Sequence, residues 1–320
     1  MKLRLLAATL VVALGGDVVT HPGGYADEIA VDVTAGRLHG TLLLPSDNGE
    51  PSPVALILPG SGPTDRDGNQ PGFRNDVYRL LAEGLAAHGI ASLRFDKRGI
   101  SASSADAVAE SELTVETYVQ DVLAGIESLA GDPRFTSTFL VGHSEGALLA
   151  TLAAERASVS GRGVISGAGR PAADAIRWQF ERIGLPPDLR ARAEAALAEL
   201  EAGRSVTDPP DELATLFRPS VQPYLISWFA IDPAERLARI DAPVLVVHGT
   251  TDLQVPVEDA RQLSSARPGI RLVVLDGVNH ILREAPEERS ANLATYSRPD
   301  LPLAKGVVEA ISAFIHDNAD

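Results

Sequence analysis

The chain has no cysteine among its 320 residues, which rules out disulfides, a thiolate nucleophile and any zinc site built on sulfur. Aromatic residues are scarce at 5%, so a place where several gather stands out. Basic residues are outnumbered, with 28 Lys and Arg against 43 Asp and Glu. A formal charge of -15 argues against a nucleic-acid partner and against adsorption to anionic membranes. The apolar run at residues 5–14 is too short to span a bilayer comfortably.

That run instead follows Lys2 and Arg4 and precedes Gly15-Gly16 and Gly23-Gly24-Tyr25-Ala26, the layout of a secretory signal cut after Ala26. Residues 1–26 are therefore expected to be a leader and 27–320 the mature protein, exported to the periplasm or medium. The alternatives are a cytosolic leader or an overlong start. No lipoprotein anchor is possible without a cysteine, and no stable membrane insertion is expected after processing. The sequence carries no signal of oligomeric state.

Nearly half the residues are apolar, 45% in all, enough for one large α/β domain or two smaller ones. Residues 28–33 and 37–44 alternate apolar and polar around Ala35-Gly36, a hairpin signal. From residue 54 the pattern changes. Short, continuously apolar runs at 54–58, 90–95, 138–141, 163–166, 244–247 and 272–275 read as strands buried on both faces. Helical periodicity separates them, at 75–88, 114–129 and 147–154, and a last helix is expected at 303–316. Strands alternating with helices predict a mainly parallel sheet flanked by helices.

Between the strands at 163–166 and 244–247 lies a mostly helical insertion at about 170–240, longer than one crossover needs. It carries Trp178, Phe180, Phe217, Tyr224, Trp228 and Phe229. Such a gathering predicts a cap that walls an apolar pocket, or rings that only glue the cap to the core. Trp228 and Phe229 are the expected pocket lining, because residues 223–227 lead them back towards the sheet.

The run Val141-Gly142-His143-Ser144-Glu145-Gly146 joins a strand to a helix, the setting of a nucleophile elbow. Ser144 at the apex would expose its hydroxyl, and glycines two residues away on either side would avoid clashes. A serine hydroxyl needs an imidazole to take its proton and a carboxylate to orient that imidazole. Asp252 follows one strand and His280 the next, both at the carboxyl ends where parallel sheets build sites. His248 is the second choice for the base and Asp276 for the acid. His143 is read as pointing away from the serine. An oxyanion hole would draw one amide from Glu145 and one from Ser61, inside Gly60-Ser61-Gly62. That loop could otherwise be a plain glycine turn or a phosphate loop, though it lacks the lysine and following helix of the latter.

Taken with Leu58-Pro59-Gly60-Ser61-Gly62-Pro63-Thr64-Asp65-Arg66-Asp67-Gly68-Asn69, Arg94-Phe95-Asp96-Lys97-Arg98-Gly99-Ile100, Gly249-Thr250-Thr251-Asp252-Leu253-Gln254-Val255 and Asn279-His280, the chain resembles the α/β-hydrolase family. More narrowly it resembles bacterial exported hydrolases labelled serine aminopeptidase-like or lysophospholipase-like. Pro59 stands where many relatives have histidine, and Ser101 where a glycine is common. Asp96 and Arg98 are expected to form a structural pair behind the site.

The resemblance implies an α/β-hydrolase domain with a helical cap and no metal or organic cofactor. It implies a serine hydrolase acting on small-molecule esters of short acyl chains through an acyl-serine intermediate. Two alternatives stand beside it. One is an aminopeptidase whose cap acids Glu181, Glu194 and Glu212 hold a substrate amine; the other is a silent binding module on the same fold.

Overall fold

The computed structural model describes residues 12–13, 19–21, 24–46, 50–106 and 108–319. The leader expected at residues 1–26 lies for its greater part outside them. Two short strands, β1 (Val12–Ala13) and β2 (Val19–His21), pair antiparallel with β3 (Gly24–Val33). Gly24, Tyr25 and Ala26 already belong to β3, opposite Pro45, Leu44 and Leu43 of β4 (Gly36–Pro45). The expected hairpin turns where Ala35 (φ 64°) and Gly36 (φ 140°) take positive φ.

The alternating part of the chain then runs β5 (Ser52–Leu58), α1 (Val77–Ala86), β6 (Ala91–Phe95), α2 (Val115–Leu129), β7 (Phe135–His143), α3 (Glu145–Ala154) and β8 (Gly161–Ile165). Five α-helices follow: α4 (Ala172–Ile183), α5 (Pro187–Glu201), α6 (Ala214–Phe217), α7 (Gln222–Phe229) and α8 (Pro233–Ala238). The sheet closes with β9 (Val244–Gly249), α9 (Val257–Ser265), β10 (Arg271–Leu275), α10 (Arg289–Leu293) and α11 (Val307–Asn318). Across the sheet the order is β3-β4-β6-β5-β7-β8-β9-β10, parallel from β6 onward.

Strand β5 shows why the apolar runs are continuous. Ala55 and Ile57 enter the core under α1 and α11, whereas Val54, Leu56 and Leu58 enter the core under α2 and α3. Alternate residues thus feed opposite layers, and all five are essentially inaccessible to solvent. Each large side chain so buried contributes about 1.5–3 kcal/mol, which fixes the strand's register on both faces.

Local chemistry sets the helix ends. Thr114 Oγ1 accepts the Thr117 amide at 3.3 Å as the cap of α2. The helix expected from residue 75 begins instead at Val77, because Asn75 and Asp76 are held by the Asn69 side chain and Asp76 takes φ 55°. The helix expected from residue 303 begins at Val307, after Gly306 at φ 94° whose amide donates to the Glu309 carboxylate. Among the described residues no helix is long and apolar enough to cross a membrane.

Candidate active site

Ser144 alone links β7 to α3, with φ 54° and ψ −121°. A residue other than glycine in such a region carries about 1–3 kcal/mol of strain, so its surroundings must over-determine it. They do so by close packing. A Cβ on Gly142 would stand 2.2 Å from the Gly146 carbonyl oxygen, and one on Gly146 would stand 2.4 Å from that of Leu58. The elbow is thereby folded on itself and against the end of β5, and the Ser144 amide donates to Ile165 O at 2.9 Å.

Asp252 and His280 stand on the loops after β9 and β10. His280 Nδ1 lies 2.8 Å from Asp252 Oδ2, while Asp252 Oδ1 accepts the amides of Gln254 at 2.7 Å and Val255 at 3.0 Å. Burial pushes the Asp252 carboxyl up, but the His280 and His248 imidazoles and the Val255 amide outweigh it and hold it below the usual range. It is therefore a carboxylate, the Nδ1 proton is committed to it, and His280 Nε2 is left as a base. His280 and Ser144 line one cavity of about 390 Å³. Of the second choices, His248 abuts Asp252, its Nε2 3.7 Å from Asp252 Oδ2, and Asp276 stands apart. His248 Nε2 donates to Val255 O at 3.0 Å, behind the carboxylate, and exposed Asp276 accepts from Thr250 Oγ1 at 3.0 Å.

Ser61 and Glu145, the expected oxyanion donors, line a further cavity together with Ser144. Glu145 opens α3, so its amide has no acceptor within the helix and sits at the positive end of the dipole. The loop carrying Ser61 is held from several sides. The Gly60 amide donates to Tyr78 Oη at 2.9 Å, Lys97 Nζ donates to Gly60 O at 2.8 Å, and Ser61 O accepts from Thr64 Oγ1 at 2.8 Å and Gln70 Nε2 at 3.2 Å.

The sequence profile of the Alpha/beta hydrolase family matches residues 55–293. The chain belongs to that family. It is 30% identical over 255 residues to esterase EstD of Thermotoga maritima, an alignment covering 78% of this chain and 59% of that protein. Among solved structures it is similar to Est1E of Butyrivibrio proteoclasticus with ferulic acid bound, with a TM-score of 0.62 and 23% identity over 90% of this chain and 98% of that one. It is also similar to the Pyrococcus furiosus esterase Pf2001, with a TM-score of 0.59 and 16% identity over 93% and 92% of the two chains. At those identities the structural likeness speaks for the α/β-hydrolase fold alone.

Within this α/β-hydrolase frame, two residues gain roles that sequence reasoning missed. His143, the residue before Ser144, is buried against His280: its Nε2 donates to the His280 carbonyl at 2.7 Å, and its Nδ1 accepts from Tyr78 Oη at 2.8 Å. Burial, then the neighbouring His280, pushes the His143 imidazole down to about 3, so it is neutral. Burial raises the Tyr78 phenol, so it stays protonated. The polarity of the chain is then fixed: Gly60 N–H to Tyr78 O–H to His143 Nδ1, and His143 Nε2–H to His280 O. No motif flags Tyr78. For His143 the signal was its place beside Ser144.

The pocket lining needs correction. Trp228 lines the cavity of about 180 Å³ beside Ser144, with Leu148, Ala172, Ala175 and Ile176, but Phe229 does not. Phe229 is buried in the cap's own core with Phe180 and Phe217. Phe229 lies about 100° further round α7 than Trp228, and there it meets the cap's core instead of the cavity. Tyr224 bonds to Glu145 and Trp178 stacks under Arg182, so of the six cap rings only Trp228 lines that cavity.

Two further expectations change. Asp96 and Arg98 do not pair: Asp96 binds Arg66 at 3.0 Å, and Arg98 forks onto Asp121 of α2 at 2.8 and 3.0 Å. Ser101 keeps a glycine-like φ of 46°. The cap acids offered for a substrate amine are committed to arginines, Glu181 to Arg190, Glu194 to Arg177 and Glu212 to Arg192.

Proposed function

We propose that the protein is a serine hydrolase that cleaves small-molecule carboxylic esters of short acyl chains through an acyl-serine intermediate. The carrying observation is the strained Ser144 elbow beside His280, whose Nδ1 is bound at 2.8 Å by the buried Asp252 carboxylate. Ser144 Oγ attacks the ester carbonyl as His280 Nε2 takes its proton, and the amides of Ser61 and Glu145 receive the oxyanion. Collapse expels the alcohol, protonated by His280, and a water repeats the sequence to release the acid. The likeness to EstD supports esters as substrates.

The two cavities that meet at Ser144 are unequal. The smaller, about 180 Å³ with Leu148, Ala172, Ala175, Ile176 and Trp228 beside Arg170 and Gln179 in its wall, suits a short acyl group by its size; the larger, about 390 Å³ with Gln70, Asn75 and Tyr296 in its wall, suits the alcohol. An acyl pocket smaller than the roughly 300–1,000 Å³ of drug-sized sites favours short chains. Each methylene that fits contributes only about 0.8 kcal/mol, and one that collides costs more than that.

The narrower membership, exported hydrolases of the serine aminopeptidase-like or lysophospholipase-like kind, rests on the motifs alone. Export would place the mature start at Asp27, leaving Asp27 to Val33 paired with Leu42 to Gly36. A panel of nitrophenyl esters of rising chain length beside aminoacyl anilides, with fluorophosphonate labelling, tests the assignment. Esters from acetyl to about butyryl should be turned over best, and Ser144→Ala should lose both labelling and at least about a thousandfold in turnover. A protein that prefers the anilides, or an active Ser144→Ala variant, refutes it. Mass spectrometry of the protein from its native host tests the start at Asp27.

A further inference from the structure

Lys97 and Glu145 form an ion pair in which each side chain is nearly inaccessible, with Lys97 Nζ 3.5 Å from Glu145 Oε2. Such pairs are poor sources of stability, because desolvating two charges offsets most of their attraction. What this pair touches gives it another use. Lys97 Nζ also donates to Gly60 O at 2.8 Å. The Gly60–Ser61 peptide is trans, so its carbonyl and its N–H point in opposite directions. Anchoring the carbonyl on the ammonium therefore aims the Ser61 amide the other way. Glu145, the ammonium's counterion, itself carries the second expected donor on its backbone.

The pair continues into the cap. Glu145 Oε1 accepts the Tyr224 hydroxyl at 2.5 Å, and Tyr224 comes from α7. The Tyr118 ring lies 5.6 Å from Lys97 Nζ and 5.6 Å from the Tyr224 ring, closing the group from the α2 side. A cavity of about 350 Å³ bordered by Lys97, Tyr118, Glu145 and Tyr224 lies next to it. One buried cluster thus reaches the β5 loop, the start of α3 and the cap.

We propose that Lys97 is a positioning residue for the oxyanion hole, acting through the Gly60 carbonyl on one donor and through the Glu145 carboxylate on the other, with Tyr224 tying both to the seating of the cap. This rests on Ser144 being an acyl nucleophile. Lys97 touches no reacting atom; its effect is on where the two amides point. The loss expected on removing it is smaller than the roughly 100- to 1,000-fold that follows loss of a whole oxyanion donor.

The test is Lys97→Met, which keeps most of the stem without the donor, beside the double variant Lys97→Met/Glu145→Gln, which leaves no unpaired buried charge if the single variant fails to fold. Steady-state kinetics on a short-chain nitrophenyl ester and inhibition by an alkyl boronic acid, whose tetrahedral adduct places an oxyanion in the hole, are measured together. The double variant should lose about 10- to 100-fold in kcat with KM within about threefold, and bind the boronic acid more weakly by a similar factor. Tyr224→Phe should show the same split at about three- to tenfold. A folded double variant with kcat within about twofold of wild type, or a loss confined to KM, overturns the proposal. Wild-type protein inert to both esters and fluorophosphonate overturns the acyl-nucleophile reading, and this one with it.

Discussion

Replacing Tyr78 by phenylalanine isolates the hydroxyl that joins the Gly60 loop to His143 and, through it, to the His280 backbone. Tyr78 is only 3% exposed, and its Oη accepts the Gly60 amide at 2.9 Å while donating to His143 Nδ1 at 2.8 Å. The ring stays, so no cavity opens and the edge contact with His143 at 5.6 Å survives. What is lost is a partner for two buried polar groups. Each such loss costs about 1–3 kcal/mol, so stability should fall by about 2–6 kcal/mol. Function should fall too, because Gly60 loses one anchor of its peptide and His143 one of the two bonds that fix its ring beneath His280 O. Urea unfolding followed by tryptophan fluorescence gives the first quantity, and kcat on an acetyl ester gives the second, expected down about tenfold. A variant whose midpoint matches wild type within about 0.5 kcal/mol, with kcat unchanged, would mean that the hydroxyl holds nothing.

Three other outcomes follow from the same geometry. Asp252→Asn should retain the fold but lose about 10⁴ in kcat, since an amide NH₂ facing Nδ1 favours the wrong imidazole tautomer; stopped assays with a pure, folded variant decide it. Because His143 is held near 3 in the folded state against 6.5 when free, the unfolded chain binds a proton that the folded chain refuses between those values. Its contribution to stability is complete above about 6.5 and lost as pH falls towards 3, at roughly 1.4 kcal/mol per unit at most. Burial raises the carboxyls of Asp65, Asp121 and Asp259, which work the other way, so His143→Asn is the control: wild type should lose more stability than the variant from about pH 6.5 to 5, and equal slopes would contradict this. Trp228→Ala should enlarge the smaller cavity, shift the acyl optimum to longer chains and leave acetyl turnover within about tenfold; an equal loss on all esters would make the ring structural.

The fold and the gathering of Ser144, Asp252 and His280 at one sheet edge were legible because both depend on order along the chain. Strands buried on two faces read as short apolar runs, and a parallel sheet puts the residue after each run at one edge, so Ser144, Asp252 and His280 could be named without coordinates. What escaped depends on direction. Asp96 and Arg98 are close in sequence and opposite in charge, yet beyond β6 the chain sends one to Arg66 and the other to Asp121. Lys97 between them turns to Gly60. Its neighbours in sequence give no hint that its partner carbonyl lies 37 residues earlier. Likewise Tyr78 is not singled out within the helix expected at 75–88, since a hydroxyl that meets His143 across 65 residues leaves no local pattern.

The cap aromatics were a different kind of error, because there the needed information was in the sequence. On α7, positions 224 and 228 are four apart and share a face, as do 225 and 229 on the adjoining face. Tyr224 and Trp228 accordingly lie together, with ring centroids 5.8 Å apart, one on Glu145 and the other in the cavity beside Ser144. Leu225 and Phe229 turn into the cap's own core with Phe217 and Leu197. Reading α7 by its period separates the face that serves the site from the face that holds the cap together. It also explains why one short helix can do both: eight residues give two full faces of two residues each. A substitution at 225 or 229 should therefore act on cap stability, and one at 224 or 228 on catalysis, although all four positions are apolar or aromatic and neighbours in the chain.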